Sequence, residues 1–160
     1  MTLVETNSFG LPHRDNLLKG RVSLPLHAYH VTTCTEARRP IFRDFACARL
    51  LVAEMRRLHE AELLDSLAWV VMPDHLHWLF QLGERESLSS TIKRLKARSA
   101  LAIGRHVEPG APIWQRGFYD HAIRGGDDLL VVARYIVANP LRAGLVEHIG
   151  DYPLWDAIWL

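Results

Sequence analysis

Two histidines separated by one leucine are the residues of this chain that most directly suggest chemistry. They lie in the apolar segment that follows Pro73 and Asp74. In a β-strand, residues i and i+2 point to the same face about 6.5 Å apart, so His75 and His77 would project side by side. Two imidazoles at that separation can share one divalent metal ion, with each nitrogen about 2.1 Å from it. The alternative is a half-buried pair whose polar atoms are satisfied by hydrogen bonds.

The segments around this pair alternate between strand-like and helix-like patterns. β-Branched, aromatic and apolar runs predict four strands, over residues 26–35, 66–72, 75–82 and 118–124. Apolar side chains at helical spacing predict three helices, over residues 42–64, 87–104 and 127–139. The order β-α-β-β-α-β-α predicts an α+β fold of the ferredoxin-like sandwich kind, with helices on one face of an antiparallel sheet and an added C-terminal helix.

The composition is that of an ordinary globular protein. With 160 residues, of which 49% are hydrophobic and 23% charged, the chain is long enough for one domain with a real core. A net charge of +1 excludes an electropositive shell over the whole surface. No apolar run reaches the ~18 residues of a membrane span and the first residues lack a secretion signal, so we expect a cytoplasmic protein. Cys34 and Cys47 are expected to be reduced, packed thiols.

A tyrosine on the third predicted helix is the second candidate for chemistry. At about 100° of rotation per residue, the apolar residues of this helix gather on one side, and Tyr135 lies about 140° from their middle. Asn139 comes four residues later, so its side chain would lie beside the phenol on the same helix face. Two ordinary explanations remain open: a partly buried aromatic for Tyr135, and a helix C-cap for Asn139, which Pro140 follows.

Three segments together resemble the HUH single-tyrosine transposases, in which U is a bulky apolar residue, and more narrowly the REP-associated tyrosine transposases. They are residues 29–32 (YHVT), 71–79 (VMPDHLHWL) and 135–146 (YIVANPLRAGLV). The resemblance runs from about Gly20 to Val146. We therefore expect a poorly structured extension over residues 1–20, the HUH transposase domain over 21–146, and a tail over 147–160. That tail could pack on the domain, cover the site or meet a partner.

The resemblance implies a metal-dependent single-stranded DNA endonuclease and strand-transferase. Tyr135 would attack a DNA phosphodiester and stay attached to the 5′ phosphate, with Tyr119 as the reserve nucleophile. His75, His77 and the amide oxygen of Asn139 would be the catalytic metal ligands. Mn²⁺ tolerates imidazole and amide ligands well, whereas Mg²⁺ prefers oxygen ligands alone. We expect Mg²⁺ in the cell and Mn²⁺ as an effective substitute.

The implied partner is single-stranded DNA with a hairpin-forming repeat. On the second predicted helix, Arg94, Arg98 and Arg105 fall within about 40° of one another around the axis and would form a basic ridge that follows phosphates. The ordinary alternative for this ridge is a solvated helix face. Three further DNA-binding candidates flank the presumed site: Arg116, Arg124 and Arg142. We expect a monomer or homodimer with no membrane association.

Two other functions compete with this interpretation. One is a non-catalytic nucleic-acid-binding protein derived from a transposase, although the intact set of His75, His77, Tyr135 and Asn139 argues against lost chemistry. The other is a cupin-like metalloenzyme, which also carries His-x-His on a strand. A cupin needs an all-β barrel, and the two long helical periodicities argue against it.

Overall fold

The computed structural model describes residues 23–124 and 128–159 of the chain. Within these residues five strands form one sheet: β1 (Ala28–Cys34), β2 (Leu64–Met72), β3 (His75–Leu82), β4 (Tyr119–Ile123) and β5 (Trp155–Ala157). Their order across the sheet is β4-β1-β3-β2-β5, and every neighbouring pair is antiparallel. The same residues contain four α-helices: α1 (Phe45–Glu60), α2 (Leu88–Ile103), α3 (Leu129–Val137) and α4 (Asn139–Arg142).

The chain order and the sheet order confirm the predicted ferredoxin-like sandwich. β1-α1-β2-β3-α2-β4 follow one another along the chain, and their strands lie in the order β4-β1-β3-β2. The added helix follows as α3. β3 has the bounds that the sequence predicts, and the Pro73-Asp74 turn joins it to β2 as a hairpin. The fifth strand was not predicted.

Alternating side chains of β3 build two cores, one on each face of the sheet. Trp78 packs with Leu51 of α1 and Leu95 of α2, and all three side chains are buried. On the opposite face, Leu79 packs with Ile136 of α3. Because neighbouring residues of a strand point to opposite faces, this alternation decides which helix each β3 side chain meets. His75 and His77 share the face of Leu79, which is the α3 face.

The first helix is shorter at both ends than the predicted range of 42–64. The Asp44 carboxylate accepts hydrogen bonds from two backbone N–H groups of the first turn, so α1 begins at Phe45. At the other end α1 stops at Glu60, and Glu62 has the left-handed backbone of a turn, with φ of 58°. The predicted end at residue 64 is therefore wrong.

Polar caps and one proline set the ends of the later helices. The Ser87 hydroxyl and the Asp128 carboxylate cap the amino termini of α2 and α3, respectively. α3 ends at Val137, and Asn139 begins the short helix α4, in which Pro140 is at the first turn. The predicted end of the third helix near Asn139 is confirmed, and its cause is Pro140, which has no N–H group to donate to the carbonyl of Ile136.

The C-terminal tail packs on the domain. β5 pairs with the edge of β2, with Ala157 opposite Ala68 and Trp155 opposite Val70. Of the three roles left open for the tail, packing is the one observed.

Three remaining expectations concern the rest of the chain. Cys34 and Cys47 are free and buried, as predicted. None of the described helices is long and apolar enough to cross a membrane. The predicted extension over residues 1–20 lies outside the described residues.

Candidate functional site

The two histidines of β3 lie side by side on the α3 face, as the strand periodicity predicts. Their ring centroids are 4.9 Å apart, with the planes nearly perpendicular at 83°. The His77 residue is 7% exposed, whereas His75 is less deeply buried. Leu76 between them points into the opposite core. The strand thus presents two imidazoles within the span of one metal ion.

The carboxylate of Asp74 contacts His75 and also binds the guanidinium of Arg38. Asp74 Oδ1 is 2.7 Å from His75 Nδ1, and Asp74 Oδ2 accepts a hydrogen bond from Arg38 Nε at 2.9 Å. Burial alone raises the pKa of Asp74, but the hydrogen bonds from His75 and Arg38 outweigh it and lower that pKa to about 2. The carboxylate is therefore ionised at neutral pH and faces Nδ1 of His75, not Nε2.

His77 is surrounded by side chains of the neighbouring strand β1. Thr32 is its register partner, and both Thr32 Oγ1 and His30 Nε2 lie 3.0 Å from His77 Nδ1. Burial lowers the pKa of His77 well below its usual value, and the charges of nearby histidines and of Arg142 and Arg38 act in the same direction. This imidazole is neutral at pH 7.

His30 extends the histidine cluster onto the next strand. Burial, with a smaller contribution from His121, lowers the pKa of His30 to about 4. His121 is its register partner on β4, so these residues follow one line across the sheet. Our site prediction did not include His30. Its signal was present in the period-two pattern of residues 29–32, which gives His30 and Thr32 the same face.

The nitrogens that remain on His75 and His77 fit a metal ion. The described contacts of both rings are made through Nδ1, so Nε2 of each ring is the nitrogen that could bind a metal ion in the tautomer that carries its proton on Nδ1. Among the described residues, no group of three or more histidine, cysteine, aspartate or glutamate side chains has the arrangement of a metal site. A third protein ligand would therefore come from another residue type, such as the amide of Asn139.

The helix that carries the tyrosine covers this face of the sheet. α3 packs against β2 and β3, with Ala133, Ile136 and Val137 turned inward. Tyr135 points away from this core and is 54% exposed, which agrees with its predicted place off the apolar stripe. The Arg142 guanidinium lies 3.9 Å from the centroid of the Tyr135 ring. The phenol is thus accessible and has a cation beside it.

Asn139 has one end of its amide bound within the helix. Its Nδ2 donates to the carbonyl oxygen of Ile136 at 3.1 Å. This contact has the character of the predicted C-cap, although Ala138 is the residue at the cap position of α3. Because the nitrogen is used in this way, the amide oxygen is the atom that could serve as a ligand.

Two of the four tyrosines are held by structural hydrogen bonds. Tyr29 is buried in the core and its hydroxyl accepts from the backbone N–H of Leu24 at 2.7 Å, while the Tyr152 hydroxyl donates to the Val71 carbonyl. Tyr119, the reserve nucleophile, lies on β4 opposite Thr32 and so shares the histidine face. Tyr29 and Tyr152 thus have structural roles, whereas Tyr119 lies on the histidine face and Tyr135 lies on the helix that covers this face.

The predicted DNA-binding arginines separate into two groups. On α2, Arg98 pairs with the buried Glu54 at 3.0 Å and Arg94 pairs with Glu86, and this helix lies on the face of the sheet opposite the histidines. Arg105 is exposed beyond the end of α2. The second group is exposed and lies on either side of β4 and in α4: Arg116, Arg124 and Arg142. Arg142 contacts a candidate catalytic residue, because its guanidinium lies over the Tyr135 ring.

Arg38 is a site residue that sequence reasoning missed. Besides Asp74, its guanidinium contacts Cys34 Sγ at 3.3 Å and lies 3.5 Å from His75 Nδ1. Arg38 lies just beyond the predicted strand over residues 26–35, and our site prediction gave it no role. Nothing in a local pattern connects Arg38 with a histidine 37 positions later, because the contact depends on how β1 and β3 pair.

Comparison with known proteins agrees with the fold and the motifs. Residues 23–139 match the family model described as Transposase IS200 like. The chain is similar to the REP-associated tyrosine transposase of Escherichia coli (strain K12), with 36% identity over 87 residues that cover 54% of this chain and 50% of that protein. It spans about half the length of the curated relatives that it matches. It is also similar to a solved REP-associated tyrosine transposase bound to a REP hairpin, with a TM-score of 0.72, 26% identity and coverage of 84% of this chain and 79% of that chain.

Proposed function

The chain belongs to the IS200-like transposase family, and we propose that it is a metal-dependent single-stranded DNA endonuclease and strand-transferase that acts at hairpin-forming repeats. One observation carries the proposal. Two adjacent imidazoles, His75 and His77, make their described contacts through Nδ1 and keep Nε2 for a ligand. They lie on the sheet face that the tyrosine-bearing helix covers.

The nucleophile in this proposal is Tyr135. Its phenolic oxygen forms a bond to the phosphorus of a DNA phosphodiester as the bond to the 3′ oxygen breaks. The 3′ oxygen leaves and takes up a proton, and the 5′ phosphate stays on the tyrosine. Attack by a 3′ hydroxyl reverses these steps and joins the strands without a nucleotide cofactor. The 54% exposure of Tyr135 supports this role, because a strand of DNA can reach the phenol.

The proposed metal ligands are His75, His77 and the amide oxygen of Asn139. A divalent ion held there would polarise the phosphate and offset its developing negative charge. We propose Mg²⁺ or Mn²⁺, since mixed nitrogen and oxygen ligands suit Mn²⁺ and the cell supplies Mg²⁺. Burial keeps His77 neutral, so its lone pair does not have to compete with a proton at neutral pH.

Arg142 is the DNA-binding candidate that we place first. Its guanidinium lies on the Tyr135 ring, so a phosphate brought to the phenol would meet a positive charge. Arg116 and Arg124 are exposed and could extend the path of the strand. The ridge on α2 would contribute less, because Arg94 and Arg98 are already paired with glutamates and Arg105 stands alone beyond the helix.

The partner that we propose is single-stranded DNA carrying a hairpin. A similar solved protein is described as bound to a REP hairpin, and the fold that it shares with this chain supports the same class of ligand. Either a monomer or a homodimer would be compatible with a site whose proposed residues all come from one chain.

The experiment that tests the proposal is a search for a covalent protein–DNA adduct. Labelled single-stranded hairpin DNA is incubated with Mn²⁺ and with the wild type, Tyr135→Phe or Tyr119→Phe. We expect Tyr135→Phe to lower adduct formation by at least about 1,000-fold, with hairpin binding changed by no more than about twofold. The matched control Tyr119→Phe should still form the adduct.

Other outcomes would replace the proposal. An adduct that is lost in Tyr119→Phe but kept in Tyr135→Phe would move the nucleophile to β4. Cleavage in the presence of EDTA would refute the proposed dependence of the reaction on a metal ion. Binding without any adduct in all three proteins would identify a non-catalytic DNA-binding protein.

A further inference from the structure

A carboxylate and a guanidinium lie behind His75, and we propose that Asp74 and Arg38 are positioning residues that hold this imidazole in the tautomer that presents Nε2 to a divalent metal ion. This inference rests on the proposed function, in which His75 is a ligand. It gives a role to two residues of the turn regions that the proposed chemistry leaves unused.

The first argument is the hydrogen-bond geometry at Nδ1. An ionised carboxylate can only accept hydrogen bonds, so the contact of 2.7 Å between Asp74 Oδ1 and His75 Nδ1 requires a proton on Nδ1. In a neutral imidazole the lone pair is then on Nε2, which is the form that binds metal. A carboxylate in this position orients a ligating histidine and increases its basicity.

The second argument is that Asp74 is itself fixed at both ends. The second carboxylate oxygen, Oδ2, accepts a hydrogen bond from Arg38 Nε at 2.9 Å. The backbone carbonyl of Asp74 accepts from the Thr35 N–H at 3.0 Å and from the Thr35 hydroxyl at 3.1 Å. Arg38 in turn contacts Cys34 Sγ at 3.3 Å. The carboxylate therefore has little freedom to turn away from His75.

The third argument is the backbone that delivers Arg38. Ala37 and Arg38 both have left-handed backbone conformations, with φ of 55° and 52°. Residues with a Cβ atom adopt this region at an energetic cost, and two in succession are retained only where the surroundings enforce them. Here the enforced conformation brings a guanidinium onto Asp74.

The two histidines are thus held by separate neighbours. The Nδ1 atom of His77 faces Thr32 and His30 inside the sheet, whereas His75 lies at the start of β3, next to the turn. His75 is the more exposed of the two rings and has the greater need for a fixed partner.

The tautomer can be measured directly in the metal-free protein. Long-range ¹H–¹⁵N correlation spectra of histidine-labelled protein report which nitrogen carries the proton. We expect Nδ1–H at His75 in the wild type, and a shift toward Nε2–H in Asp74→Ala, which has no acceptor. Asp74→Asn keeps a carbonyl oxygen as acceptor and should retain the wild-type tautomer. Arg57→Gln, which removes an arginine–glutamate pair of α1, is the matched control and should leave the His75 tautomer unchanged.

Mn²⁺ affinity, read from the electron paramagnetic resonance signal of the free ion, completes the test. We expect Asp74→Ala to weaken Mn²⁺ binding by about 10–100-fold, Asp74→Asn and Arg38→Gln to weaken it by less than about tenfold, and Arg57→Gln to leave it unchanged. Amide spectra check that each variant is folded, which is expected because Thr35 binds the backbone of residue 74 and not its side chain.

Two results would overturn the inference, and they differ from failure of the proposed function. Asp74→Ala with an unchanged His75 tautomer, or with Mn²⁺ affinity within about threefold of a wild type that binds the ion, refutes the positioning role. A wild type that binds no Mn²⁺ and forms no DNA adduct refutes the proposed function itself.

Discussion

Replacement of Tyr152 by phenylalanine tests how the C-terminal tail is attached. The Tyr152 hydroxyl donates to the carbonyl of Val71, and the Val71 N–H donates to the carbonyl of Leu154 at 2.9 Å. The tail thus satisfies both backbone groups of a residue that is fully buried. Phenylalanine would leave the carbonyl without this donor, which costs about 1–2 kcal/mol in the free energy of unfolding at neutral pH.

The same hydrogen-bonded phenol gives the prediction a pH dependence. Burial raises the pKa of Tyr152 from 10.0 to about 12. Between these values the unfolded chain loses a proton that the folded protein keeps, so stability falls as pH rises through this range. At pH 11 a shift of this size corresponds to about 1.4 kcal/mol, which screening at a partly exposed phenol reduces to about 1 kcal/mol. Tyr152→Phe lacks this loss.

Urea unfolding at pH 8 and pH 11 measures both effects. At pH 8 the wild type should exceed Tyr152→Phe by about 1–2 kcal/mol, and at pH 11 the difference should shrink by about 1 kcal/mol. Other ionisable groups are common to both proteins and cancel in the comparison. Tyr135→Phe, at an exposed position, is the control and should match the wild type at both values of pH. A difference at pH 8 that persists unchanged at pH 11 would refute the assigned cause.

Two further predictions concern the core and the DNA. Among the described residues the buried Thr33 hydroxyl has no hydrogen-bond partner, so Thr33→Val should leave stability unchanged or raise it by up to about 1 kcal/mol in urea unfolding. In the control Thr91→Val, which removes a bond of 2.9 Å to the Ser87 carbonyl, we expect a loss of about 1 kcal/mol, and an equal loss in Thr33→Val would contradict the reasoning. Arg142→Gln should weaken hairpin DNA binding several-fold and reduce the slope of log affinity against log salt by about 0.7, as for one lost single-strand phosphate contact. Arg94→Gln, already neutralised by Glu86, should have the smaller effect, and the reverse order would return the α2 ridge to first place.

Local sequence patterns predicted four of the five described strands, because runs of β-branched, aromatic and apolar residues mark them. β3 has the predicted bounds since the Pro73-Asp74 turn starts it and a mostly apolar run continues to Leu82. The ends of α1 were predicted poorly. They depend on a single cap at Asp44 and on the left-handed Glu62, and apolar periodicity contains neither.

β5 was missed for a different reason. It has only three residues, from Trp155 to Ala157, and so has no periodicity of its own to read. Its pairing is decided by the exposed edge that β2 offers and by the contacts of Tyr152 and Leu154 with Val71. These are tertiary contacts, and no short stretch of the tail's own sequence indicates them.

In the candidate site too, some features could be predicted from the local sequence, and others depend on how the strands pair. The shared face of His75 and His77 follows from the period of a strand, and the exposure of Tyr135 follows from the period of a helix. The neighbours that hold the histidines come from register: Thr32 meets His77 because β1 and β3 pair with Thr32 opposite it. A shift of that register by one residue would turn His30 and Thr32 to the other face and remove both contacts.

The two explanations that the sequence left open for the histidine pair are compatible. An imidazole has two nitrogens, and a neutral one can use Nδ1 in a hydrogen bond while Nε2 keeps its lone pair. In this structure the described hydrogen bonds of His75 and His77 all involve Nδ1. Hydrogen bonds that satisfy only one nitrogen fix the direction in which the other points. The satisfied, partly buried pair is therefore not an alternative to a metal site but the condition under which two imidazoles on one strand could bind the same ion.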